Sequence, residues 1–94
     1  MKNLCHRNVV KVFTSFFSEK RTHIITILEI CETDLEKCIS KRKEPFPYNT
    51  IIDWCCQILC GLLYLHEKNI IHRDLKPEVL NFKILFFRIL IFFV

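Results

Sequence analysis

The longest helical pattern in the chain, Thr50 to Glu67, is the feature that most limits what it can fold into. Ile51, Cys55, Ile58, Leu62 and Leu65 recur at spacings of three and four, and Ile52, Cys56, Leu59 and Leu63 form a second apolar row beside them. Two adjacent rows make a stripe too wide for a lightly packed surface helix, so a core helix is expected, with the remaining elements built around it. The single glycine of the chain, Gly61, lies inside this helix. His66, near its end, suits a favourable cation at a helix C-terminus.

The segment from Leu4 to Val10 is polar in the middle and apolar at both ends, as in a connection that feeds a strand. Val10 to Ser18 alternates and is rich in β-branched and aromatic residues, which favours a strand over a helix. Glu19-Lys20-Arg21 supplies a charged turn and His23 to Leu28 a second strand, giving an antiparallel hairpin. Thr33-Asp34-Leu35-Glu36 has the form of a capping box, from which a short helix should run to about Lys41. Lys41 to Pro47 reads as a solvated linker with two helix-breaking prolines, and its basic cluster carries no binding role. The fold class expected is α+β.

Ninety-four residues make at most one small domain. Apolar residues at 51% and charged residues at 26% exclude a disordered chain, and a scattered net charge of +4 gives no footprint for nucleic acid. Six cysteines in a secreted chain would be a disulfide framework, but Met1-Lys2-Asn3-Leu4 opens no signal sequence, which favours a reducing, cytoplasmic compartment. Cys55, Cys56 and Cys60 fall in the apolar helix and are expected to behave as small hydrophobes. With no C-x-x-C pair, no metal site is expected.

Chemistry concentrates in Ile70-Ile71-His72-Arg73-Asp74-Leu75-Lys76-Pro77. A carboxylate facing a hydroxyl nucleophile needs a nearby cation for phosphate oxygens, and Lys76, two residues after Asp74, projects to the same side of an extended loop. Pro77 biases Lys76 away from helix.

The order H-R-D-L-K-P resembles the catalytic loop of protein kinases. Under that resemblance Asp74 is the catalytic base, Lys76 a γ-phosphate contact of the serine/threonine type, Arg73 the partner of a phosphorylated activation loop, and His72 a structural packing residue. The segment from Leu4 resembles the loop after helix αC followed by the family's fourth and fifth strands, with Leu28 as gatekeeper. Glu29-Ile30-Cys31 is then the hinge, so that Leu28, Glu29 and Cys31 face adenine. The short helix corresponds to αD and the long one to αE. Ile51 to Ile58, with Tyr64-Leu65-His66, is most similar to the NIMA-related kinases. The implied cofactors are ATP and magnesium, and the implied partner is a protein substrate whose hydroxyl receives the ATP γ-phosphoryl group.

Much of the family pattern is missing from these residues. One glycine cannot make a Gly-rich phosphate loop or a D-F-G triplet, and the strand lysine of the V-A-I-K type and its αC glutamate are absent. The aspartates are Asp34, Asp53 and Asp74, which leaves no magnesium ligand. Val79 stands where the family has its second metal-binding Asn, and Asn81 lies two residues beyond. The expectation is therefore a partial kinase domain over residues 1–81, inactive as it stands, that needs the missing kinase segments or a partner chain to fold. Alternatives are a non-catalytic, pseudokinase-like interaction fragment and a membrane-associated truncated product.

Residues 82–94 form an apolar tail that reads as an aberrant terminus replacing the family's seventh and eighth strands. Sixteen residues from Val79, interrupted by Asn81, Lys83 and Arg88, fall short of the ~20 apolar residues that span a bilayer, so membrane insertion is not expected. Ile84 to Val94 has the composition of an aggregation-prone segment with Arg88 as its lone gatekeeper, and a partial lobe should offer it little burial.

Overall fold

The computed structural model describes residues 4–83 and 86–90, without the side chains of Lys83 and Phe86. Its elements follow in order as β1 (Val12–Phe17), β2 (Ile24–Leu28), β3 (Thr33–Asp34), α1 (Leu35–Lys41), α2 (Tyr48–Glu67), a 3-10 turn (Pro77–Val79), β4 (Leu80–Lys83) and β5 (Phe86–Ile89). The class is α+β. β1 and β2 make the expected antiparallel hairpin, with an irregularity between Val12 and Thr14. β3, β4 and β5 form a second antiparallel sheet with β4 in the middle.

α1 starts and ends close to expectation, but its cap is not the Thr33 hydroxyl. Thr33 is held in β3 opposite Phe82, and the Asp34 carboxylate accepts the Lys37 amide proton at 2.9 Å instead. Glu36 turns to the Ser40 hydroxyl rather than back to the cap. A local capping signal has yielded to a strand pairing. α2 begins two residues ahead of Thr50, because the Pro47 carbonyl takes its first amide proton from Ile51 and no capping side chain is used.

The apolar tail is the main correction. Leu80–Lys83 and Phe86–Ile89 do not hang off the domain as an aberrant terminus: they build β4 and β5, and Phe87 and Ile89 are fully buried. With Val9, Leu65 and Leu80 they form the core cluster, against which Trp54, Ile58, Leu62, Ile70 and Phe82 pack. Trp54 meets Phe46, Phe82 and Phe87 edge-on, with ring centroids 4.8, 5.3 and 5.0 Å away. Arg88 is not an exposed gatekeeper either, since it forms an ion pair with Glu29 at 3.2 Å. Ile84, Leu85 and residues 91–94 of the tail lie outside the described residues.

The N-terminal segment closes the other side of β5. Ile89 donates its amide proton to the Asn8 carbonyl at 2.8 Å and accepts one from Val10 at 2.9 Å, so Asn8 to Val10 runs alongside β5 as a parallel bridge. Gly61 is where this junction meets α2. A Cβ there would stand 2.8 Å from both the Asn8 carbonyl oxygen and Ile89 Cδ1.

Among the described residues only one side of α2 is covered. Gly61 and Leu65 are buried, but Ile51, Ile52, Leu59 and Leu63 are exposed, as are Cys55, Cys56 and Cys60, contrary to the burial expected of a core helix with two apolar rows. The wide stripe is real in the sequence, yet β5 and the N-terminal segment occupy one row of it.

Two expectations follow. Gly61→Ala should cost about 1–3 kcal/mol by overpacking, read as a lower urea midpoint at unchanged slope. Removing residues after Asn81 should abolish cooperative unfolding in the same assay, because each of Phe87 and Ile89 is worth ~1.5–3 kcal/mol of burial in a domain whose whole stability is ~5–15 kcal/mol.

Candidate active site

The loop that holds His72, Arg73, Asp74 and Lys76 is launched by the end of α2. Asn69 adopts a left-handed conformation (φ 62°) just after the helix, and the Ile70 amide returns to the Leu65 carbonyl at 2.9 Å. This stop sends Ile70 into the core surroundings and leaves Ile71 exposed.

His72 then ties the loop to the end of β5. Its Nδ1 accepts the Asp74 amide proton at 3.1 Å, so Nε2 carries the ring proton and donates it to the Leu90 carbonyl at 2.7 Å. Both ring nitrogens are used, and the ring is half-buried. Arg73, between these two anchored residues, is held at φ 69°, a left-handed geometry costly for a residue with a Cβ. Its side chain is exposed.

Asp74 and Lys76 emerge from this anchored turn as a pair, with Nζ 3.3 Å from Oδ2 and each side chain about half exposed. Solvent screening leaves such a pair ~0–1 kcal/mol of stability, so its place here is not explained by folding. Lys76 is fully extended before Pro77, as expected ahead of a proline, and Pro77 opens the 3-10 turn. The arrangement sets a carboxylate that can accept a proton beside an ammonium that can hold an oxyanion.

The three residues expected at a hinge gather elsewhere. Leu28, Glu29 and Cys31 line a cavity of about 130 Å³ with Val10, Asn81 and Leu90. Glu29 gives its amide proton to the Lys11 carbonyl at 3.0 Å, while its carboxylate accepts the Lys11 amide proton at 2.9 Å and pairs with Arg88. Leu90 is the link between the two regions: its carbonyl holds His72, and the residue lines the cavity beside Leu28 and Glu29.

The fit to magnesium-ATP fails among the described residues. Val79, at the position of the second metal-binding Asn, is buried in apolar surroundings and has no ligating atom on its side chain. Asn81 sits in the middle strand β4 and donates to the Val79 carbonyl at 3.2 Å rather than facing the Asp74 pair. A cavity of about 130 Å³ is also well below the ~300–1,000 Å³ typical of sites for molecules of nucleotide size.

Sequence reasoning missed Asn8, Gln57 and the Glu29–Arg88 pair. Gln57 Oε1 accepts the Phe87 amide proton at 2.7 Å and Asn8 Nδ2 at 3.5 Å, while its Nε2 donates to Asp53 at 2.8 Å. An amide on the apolar side of a helix was the one available signal.

A model of the protein kinase domain matches residues 1–84. The chain belongs to the protein kinase domain family. It is 44% identical over 78 residues to MAP3K epsilon protein kinase 1 of Arabidopsis thaliana, an alignment covering 81% of this chain and 6% of that protein. It is 42% identical over 82 residues to the serine/threonine-protein kinase Nek11 of Homo sapiens, covering 83% and 12%. Cytokinesis protein sepH of Aspergillus niger is 45% identical over 76 residues, covering 81% and 6%. The similarity to NIMA-related kinases therefore holds, at an identity comparable with the other two. This kinase-domain chain spans between 6% and 12% of the length of these three relatives. The family match extends into β4, so it includes the start of the segment taken for an aberrant tail.

The roles of His72 and Asp74 separate in a stability measurement. His72→Ala should lose ~1–3 kcal/mol, since two hydrogen bonds are removed in a half-buried place. Asp74→Asn should stay within about 0.5 kcal/mol of the parent, as for an ordinary surface change, in the same urea titration.

Proposed function

We propose that this chain carries the proton-accepting part of a serine/threonine kinase reaction, in which the γ-phosphoryl group of ATP passes to a protein hydroxyl, and that its 94 residues do not complete the transfer alone. The observation that carries this reading is the Asp74–Lys76 pair at 3.3 Å, exposed on a loop that His72 fixes to Leu90. Asp74 takes the proton of the attacking hydroxyl, and Lys76 holds a phosphoryl oxygen as charge builds there. Arg73, exposed beside them, would pair with a phosphorylated segment. The hinge contacts to adenine are assigned to Leu28, Glu29 and Cys31, of which the Glu29 amide is already engaged by Lys11.

A second reading, a non-catalytic interaction fragment, is favoured by one specific observation: Val79 is buried where a metal ligand is needed. Under either reading the setting is a reducing, cytoplasmic one, supported by six free cysteines. Among the described residues no helix is long and apolar enough to cross a membrane.

Incubation of the 94-residue chain with radiolabelled ATP, magnesium and a generic protein substrate should give no transfer above background, because loss of even one charge-stabilising group costs ~10²- to 10³-fold. Calorimetry with magnesium-ATP should give no saturable heat in the micromolar range. Label transfer that disappears in Asp74→Asn would show that the chain is complete as a catalyst. If a longer chain that supplies the absent phosphate loop and D-F-G triplet is active with Asp74 and inactive with Asn there, the catalytic reading stands. Equal activity of the two would leave the interaction fragment as the correct one.

A further inference from the structure

We infer that Cys56 and Cys60 form a thiol-modification site, in which one of the two takes a small acidic thiol from its disulfide and keeps it as a lasting mixed disulfide. Both residues line one cavity of about 410 Å³ between α2 and the segment from His6 to Asn8. That volume lies within the ~300–1,000 Å³ of sites for small molecules, and both cysteines are free and exposed.

The cavity walls are held by interior contacts. Asn8 is 2% exposed and donates through Nδ2 to the Phe87 carbonyl at 2.9 Å, while Gln57 Oε1 takes the Phe87 amide proton at 2.7 Å. The same hydrogen bonds that fix β5 therefore fix two residues of the cavity.

Its polar groups fit an anion. Asp53 is the one carboxylate in the lining, and Gln57 Nε2 already donates to it at 2.8 Å. His6 Nδ1 accepts the Asn8 amide proton at 3.0 Å, so Nε2 carries the ring proton and is a donor. Arg7, exposed in the same lining, adds a guanidinium with five N–H donors. Carboxylates on the incoming reagent find charge-assisted partners here that a neutral reagent does not use.

Helix geometry decides the fate of the product. Cys56 and Cys60 stand one turn apart inside α2, a spacing that holds their Cβ atoms ~5–6 Å apart, whereas a disulfide needs ~3.5–4.5 Å. The two cannot bond to each other while α2 is intact. In the proposed step one thiol gives its proton to solvent and the thiolate attacks a sulfur of the external disulfide. The reagent's S–S bond breaks, a new one forms to Sγ, and the other half leaves as a thiolate. A second attack by the neighbouring thiol, which would expel the cap, is closed by the helix. The first cap fills the space that both thiols share, so the pair takes one and not two. Cys55 is also exposed on α2 but does not line the cavity, which makes it an internal control.

The test treats the full chain with glutathione disulfide, alkylates the remaining thiols and reads each cysteine by tandem mass spectrometry. Capping at Cys56 or Cys60 should run at least ~10-fold faster than at Cys55, with one cap per pair and no Cys56–Cys60 disulfide. Equal rates at Cys55, two caps on the pair, or an internal disulfide would overturn the inference. Arg7→Gln should slow capping by glutathione disulfide roughly 5-fold and leave the rate with the neutral hydroxyethyl disulfide unchanged. An unchanged rate with glutathione disulfide, or equal slowing with both reagents, would also overturn it. The comparison with Cys55 in the parent chain needs no substitution, so it holds even where the variant folds poorly.

Discussion

The Phe87 amide proton, taken by the Gln57 side chain at 2.7 Å, is the contact on which the rest of this structure depends. β5 is only four residues long; β4 pairs with one edge, the Asn8 to Val10 segment with the other, and α2 packs against it. Buried backbone groups must find partners, and here they are found in three directions at once: Gln57 takes the Phe87 amide, Asn8 Nδ2 donates to the Phe87 carbonyl at 2.9 Å, and Ile89 bonds the Asn8 backbone. The absence of a Cβ at Gly61 lets these chains approach, and Leu65, one turn on, fills the space beneath them. Polar pairing fixes the position of β5, and the burial of Phe87 and Ile89 supplies the energy.

The loop from Ile70 to Pro77 inherits its position from that junction. Its first anchor, Ile70, is held by the end of α2, and its second, His72, hangs from Leu90 directly after β5. The strained Arg73 is tolerated because the residues on both sides are fixed by hydrogen bonds. Asp74 and Lys76 are thereby presented to solvent by a loop whose supports are in the core. The same tail strand reaches Glu29 through Arg88, and their ion pair is largely shielded from water. One short strand thus sets the geometry of both regions to which kinase chemistry is assigned.

What could be read from the sequence was whatever depends on near neighbours. Alternation around Val12 and Ile25 gave the hairpin, the period of three and four gave α2, and the order from His72 to Pro77 gave the family. What escaped depends on partners far along the chain. Asn8 and Phe87 are 79 residues apart, and Glu29 and Arg88 are 59 apart. The run from Phe86 to Ile89 has the same composition whether it aggregates or fills a core, and only the presence of Asn8 and Gln57 beside it decides between the two. The cap at Asp34 escaped for a similar reason, since Thr33 is diverted by a strand nearly fifty residues later. In the site, Val79 was legible as a missing ligand because a motif position can be counted, whereas the hydrogen bond from His72 to Leu90 could not be inferred from either residue.

Native-state hydrogen exchange at the Phe87 and Ile89 amides tests most directly whether the tail strand is the keystone. Both protons are donated inside the junction, to Gln57 and Asn8, so they should exchange only by global unfolding, at free energies equal to those of the most protected α2 amides. Exchange of these two protons near the unprotected rate, while α2 stays protected, would mean that the helix folds without the strand and that the His72 to Lys76 loop is not hung from it.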